Sequence, residues 1–196
     1  VGPGFRAIAQ DGNIIQSRSY TDQCQQTGME AFNEDFVMQK CESICKEAVE
    51  LLDADECPTE QMDLVLHSDQ MLLQIHESIG HALEVDRILG DERNYAGWSF
   101  VNLEDFGKLK YGSDLMNITF DPTIKEEFAS YGFDDTGNKA NKEFIIKEGV
   151  LQRGLGGLES QERANIEGVA NVRACSWNRA TIDRMANLNL EPGDSS

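Results

Sequence analysis

At 196 residues, 40% of them hydrophobic, the chain has room for one large or two small domains and for a real apolar core. Its 35 acidic residues against 17 basic ones give a formal net charge of −18, and the Lys and Arg are too scattered to form the basic stripe a nucleic-acid partner would need. No run approaches the roughly 18 consecutive apolar residues of a membrane helix, and the opening VGPGFRAIAQ has no basic region leading into an apolar one, as a signal peptide would.

The chain begins without Met, so an excised piece or processed product is expected. Residues 5–20 form two short extended runs around Asp11-Gly12, a dipeptide suited to the positive φ angles of a tight hairpin. Next, Phe36, Val37, Cys41, Ile44, Cys45, Ala48, Leu51 and Leu52 recur at helical spacing. Asn33 is placed to cap that helix, with Glu34 and Asp35 in its first turn. The acidic stretch 53–63 has no apolar stripe and is expected to be a solvated connector. Residues 62–68, MDLVLHS, alternate like a strand. Ser68 or Asp69 can start a second helix running through Leu89, with Gly90 as its stop.

Beyond Gly90 the pattern turns short and β-like. NITFDP and EFIIKEGVLQRGL hold extended runs, the latter interrupted at Glu148-Gly149. SYGFDDTGN is a loop, residues 159–168 hold a helical turn or two, and RMANLNL alternates until Pro192-Gly193. The expected fold class is α+β, mostly antiparallel sheet with two substantial helices. We divide it into residues 1–61, a hairpin plus helix, and 62–196, which carry the motif helix and the β-rich segment. The five cysteines, odd in number and irregularly spaced, suggest a reducing cytoplasm. Cys41 and Cys45, four apart on a helix, could share a ligand face, although a buried apolar role is commoner for such residues.

The stretch QIHESIGHALEVD, residues 74–86, carries the chemistry. Imidazoles suit zinc, and a neighbouring carboxylate can take a proton from water. In the usual HExxH helix the two histidines sit about 40° apart on one face. Here His76 and His81 are five apart, which on a regular α-helix separates them by about 140°. A π-bulge at Ser78–Gly80 would bring them together, and a break at the permissive Gly80 could do the same. Otherwise they are two unrelated histidines with Glu77 a solvated charge.

HESIGHALEVD resembles the HE-(A/S)-x-G-H-x-(L/x)-E-x-D signature of the TldD/PmbA family of zinc metallopeptidases. YAGWSFVNLE, NITFDPT, GFDDTGN, FIIKEGVLQRGL and RMANLNLEPG follow in the order of that family's downstream blocks. The resemblance, over roughly residues 60–193, implies a TldD-type, motif-bearing subunit. His76 and His81 would be zinc ligands and Glu77 the catalytic group in the hydrolysis of unstructured peptides, through a zinc-activated water. It also implies a dimer, either of like subunits or with a TldE/PmbA-type partner. Members are more than twice as long, and their third zinc ligand is a cysteine in a later Gly-rich block. The present chain is therefore expected to be a central portion with little or no activity alone. Cys175 has no counterpart among the family's ligands. Glu84 is spaced to orient His81, and Arg184 and Asn187 match a block near the substrate cleft. Two other readings compete: a non-catalytic peptide- or partner-binding module, and a metal or redox protein using Cys41, Cys45 and the histidines.

Overall fold

The computed structural model describes residue 2 and residues 4–21, 24–31 and 33–193. Its contacts divide the chain into two compact units, residues 1–71 and 72–196.

In the first unit, β1 (Gly4–Asp11) and β2 (Ile14–Thr21) pair antiparallel from Gly4↔Thr21 to Asp11↔Ile14. The hairpin forms as expected, but its loop is Gly12–Asn13, one residue later than the Asp11-Gly12 dipeptide suggests. Asp11 stays paired, and Gly12 alone supplies the positive φ, 57°. Helix α1 (Glu34–Glu50) begins where Asn33 Oδ1 accepts the Phe36 N–H at 3.0 Å, and Glu34 and Asp35 complement the positive end of its dipole. The helix packs on both strands and buries Ile44 and Ala48. Phe36, nominally on the same stripe, stays partly exposed: its ring meets Tyr20 edge-on at 6.0 Å, and Lys40 Nζ lies over both rings. Residues 53–67 are exposed and irregular, as read for the connector. The strand read at 62–68 does not form, and Leu64 and Val65 are 77% and 89% exposed. Alternation makes a strand only where a neighbour completes the ladder, and no described strand pairs with this segment.

The second helical region is not one helix. Helix α2 (Ser68–Ile75) passes into a single π turn, His76–Gly80, and then a 3-10 turn, His81–Leu83. The backbone is extended at Glu84, with ψ 116°, before α3 (Val85–Leu89) begins. The expected stop holds: Gly90 adopts φ 96°, the left-handed cap geometry that glycine tolerates best. After α4 (Arg93–Ala96), strands β3 (Ile118–Phe120), β4 (Glu143–Lys147) and β5 (Val150–Leu151) follow. Next come α5 (Leu158–Ala164), β6 (Val172–Ala174), β7 (Thr181–Asp183) and β8 (Leu188–Leu190). The order β5-β4-β3-β8 makes a four-stranded, wholly antiparallel sheet, and β6 and β7 form a separate antiparallel pair that sequence reading missed. Glu148 and Gly149, at φ 48° and 73°, make the two-residue turn between β4 and β5.

Ile118, Phe120, Ile145, Ile146, Leu151 and Leu155 are fully buried and form the core with Leu83 and Val85. The GFDDTGN loop is fixed by the buried Asp134, whose Oδ1 accepts from Thr136 N, Thr136 Oγ1 and Asn138 N. The fold is α+β with antiparallel sheets, as expected. Among the described residues no helix is long and apolar enough to cross a membrane.

Candidate metal centre

The π turn closes through a bond from His81 N–H to the His76 carbonyl, one residue further back than in an α-helix. The wider turn swings His81 round to the face of His76. Their rings lie 4.5 Å apart, perpendicular to one another. Each of His76, Glu77 and His81 places one potential ligand atom within 4.8 Å of the other two. Donors on a tetrahedral ion with bonds of about 2.0–2.1 Å stand about 3.4 Å apart, so modest rotamer adjustment suffices. Two imidazoles and a carboxylate suit a divalent metal. The residues fit such an ion, and of the two ways round the five-residue spacing the fold uses the π turn.

A π turn followed by a break leaves carbonyls without helical partners, and distant residues take them up. Tyr111 OH donates to Ser78 O at 2.5 Å, Ser99 Oγ to Ala82 O at 2.6 Å, and Leu155 N to Leu83 O at 2.8 Å. Burial raises the Tyr111 phenol to about 12, so it stays a donor at any physiological pH. Gly80 has ordinary helical torsions, φ −53° and ψ −67°, and is glycine for a different reason. A Cβ there would run into Met185 Sδ. Arg173 donates to the Met185 carbonyl and holds that residue against the turn.

His81 is oriented from behind. Its Nδ1 lies 3.0 Å from Glu84 Oε2, and Glu84 is only 6% exposed. Arg87 donates from Nη2 to the same carboxylate at 3.1 Å and from Nη1 to Ala96 O at 3.1 Å. Arg87 Nη2 also lies 3.2 Å from His81 Nδ1, so Nδ1 faces the Glu84–Arg87 pair and Nε2 faces away from it. The tautomer with the proton on Nδ1 donates to the Glu84 carboxylate and leaves the Nε2 lone pair for a metal. The role read for Glu84 from spacing therefore matches its contacts. Arg87, six residues beyond His81, carries no comparable sequence signal.

Asp86 is buried and faces Asp183 across 97 residues of sequence. Each backbone N–H donates to the other's Oδ2 at 3.1 Å, and Gly157 N and Ser160 Oγ also donate to Asp183. Burial first, then the neighbouring Asp183 carboxylate, pushes Asp86 up to about 7; burial raises Asp183 too. Asn187 is a staple. Its amide donates to Asp121 O and Ser130 Oγ and accepts from Ala129 N, which ties β8 to the 121–130 loop. Arg184 is turned to Cys175 Sγ at 3.0 Å. Among the described residues no cysteine joins the His-Glu-His group.

These features define a mixed α+β domain bearing a metal-competent His-Glu-His turn. Residues 59–196 match the family model described as the PmbA/TldA metallopeptidase C-terminal domain, and the chain belongs to this PmbA/TldD family. A metalloprotease of Methanocaldococcus jannaschii is 33% identical over 149 residues, which cover 76% of this chain and 31% of that protein. One of Methanothermobacter thermautotrophicus is 32% identical over 195 residues, 98% of this chain and 40% of its own length. A Saccharolobus solfataricus relative named as a zinc metalloprotease TldD homolog is 26% identical over 122 residues, 62% of this chain and 25% of its own. The chain thus spans well under half the length of these curated relatives. The fold is shared with a Thermotoga maritima protein described as a candidate modulator of a DNA gyrase (TM-score 0.70, 21% identity, 100% of this chain and 41% of that one). It is also shared with TldE of Thermococcus kodakarensis (TM-score 0.66, 14% identity, 98% of this chain and 41% of that one).

Proposed function

We propose that this chain carries the zinc site of a peptidase acting on unstructured peptides. The observation that carries the reading is the π turn, which gathers donor atoms of His76, Glu77 and His81 within 4.8 Å. His76 and His81 would hold the ion through imidazole nitrogens, and a proton on His81 Nδ1, donated to Glu84, would leave Nε2 free for it. Bound there, zinc supplies Lewis acidity, polarising a carbonyl and making water acidic near neutral pH. Glu77 accepts a proton from the attacking water and passes it to the departing amine nitrogen as the amide C–N bond breaks. His76 and Glu77 are exposed, so an extended peptide backbone can reach them. A homodimer, or a heterodimer with a TldE/PmbA-type subunit, would enclose the site. Two imidazoles make a weaker site than the three protein ligands usual for catalytic zinc, so the chain alone should turn over little or no substrate.

Zinc titration of the purified chain, paired with hydrolysis of an unfolded peptide by a polypeptide containing this sequence, tests the reading. His76→Ala and His81→Ala should each weaken zinc binding at least about tenfold. Glu77→Gln should keep the zinc and lose hydrolysis. A non-catalytic binding module would be indifferent to Glu77→Gln, and zinc binding untouched by either histidine change would sink the site itself.

A further inference from the structure

Residues 95–101, YAGWSFV, present three large rings to solvent beside the candidate metal turn: Tyr95, at its start, is 92% exposed, and Trp98 and Phe100, on either side of Ser99, are each 67% exposed. Single exposed aromatics are ordinary. Trp98 and Phe100 sit on a segment pinned to the turn itself. Arg87 Nη1 donates to Ala96 O at 3.1 Å, Ser99 Oγ donates to Ala82 O at 2.6 Å and accepts from Val101 N at 2.9 Å, and Val101 is buried. The Phe100 ring lies 5.8 Å from the Tyr111 ring, tilted by 42°, and the Tyr111 hydroxyl bonds Ser78 O, the carbonyl next after Glu77. Phe100 is therefore one ring away from the turn that carries the candidate general base. On the other side of Ser99, Trp98 stacks under the Arg93 guanidinium at 4.5 Å.

We infer that Phe100, with Trp98, forms a subsite for an aromatic or large aliphatic side chain of the peptide, close to the bond to be cleaved. This rests on the peptidase reading and adds a substrate class to it. The hydrogen bonds that hold the segment to the turn are already made, so its exposed rings take such a side chain without refolding of the segment. A second copy of this chain seated on the rings is the competing occupant, and it would also crowd the exposed His76 and Glu77 that hydrolysis needs open.

The test uses the zinc-loaded chain in a Glu77→Gln background, so that nothing is cleaved, and two fluorescein-labelled unstructured heptapeptides that differ only in a central Phe or Ser. Anisotropy should show the Phe peptide bound about tenfold more tightly, the factor expected for partial burial of one ring. Phe100→Ala should cut that preference to about twofold or less, and Trp98→Ala should lower it too. Zinc content and the far-ultraviolet dichroism should stay unchanged. Equal affinity for the two peptides, no binding of either, or a preference that survives Phe100→Ala overturns the subsite. So does sedimentation showing a dimer that Phe100→Ala dissociates while the peptide preference stays put. A Phe preference that disappears with Phe100→Ala in a chain that holds no zinc supports the subsite and counts against the peptidase reading alone.

Discussion

At the scale of single residues, most of the candidate site's chemistry lies behind the ligands. Glu84 is buried, shares its carboxylate between His81 and Arg87, and fixes which imidazole nitrogen faces outward. Glu84→Gln should lower zinc affinity about 10- to 100-fold without unfolding the chain, which competition with a chromogenic chelator would measure. The Asp86–Asp183 pair sets a pH dependence of its own. With Asp86 raised to about 7 in the fold, folding favours its protonated form. The stability this confers is complete below the ordinary carboxylate range and is lost as pH rises towards about 7. Thermal midpoints should therefore fall between pH 5.5 and 7.5, and Asp86→Asn should flatten that fall. A midpoint that stays flat over this window, in the parent and in Asp86→Asn alike, would show the pair ionised throughout. The Glu84–His81 relation was legible because three residues is a contact distance on any helical turn. The Asp86–Asp183 pairing was not, because 97 residues separate its members.

At the scale of elements, the turn at His76–Gly80 is shaped by what packs on it. A side chain at position 80 would meet Met185, so Gly80→Ala should destabilise the chain by about 1–3 kcal/mol and weaken zinc binding with it. Met185→Ala should restore part of both, since it vacates the space. Urea unfolding and zinc titration of the single and double variants decide this, and additive losses would mean that the two residues do not share the strain. Five-residue spacing in a good helical sequence already demanded a local irregularity at this point. That it is a π turn rather than a break at Gly80 depends on Tyr111, Ser99 and Leu155, which take up the carbonyls it frees. The exposed stretch 62–67 makes the converse point. Its alternation is that of a strand, yet among the described residues no neighbour supplies a ladder, and it stays irregular.

At the scale of the whole molecule, a formal net charge of −18 favours cationic over anionic ligands. Lysine-bearing peptides should bind more tightly than glutamate-bearing ones of equal length. That advantage should shrink severalfold between 20 and 500 mM salt as the screening length contracts, and a preference insensitive to salt would assign it to direct contacts instead. The sequence by itself determined the fold class, the capped first helix, the β4–β5 turn and which three side chains are candidates for the site. Each depends on residues within a few positions of one another, where propensity, capping and periodicity operate. Only the tertiary structure decided that His76 and His81 share a face, that Arg87 and Glu84 contact the second imidazole, and that Asn187 ties β8 to the 121–130 loop. Those outcomes depend on which distant groups satisfy buried polar atoms and fill space beside Gly80, and local sequence does not carry that information.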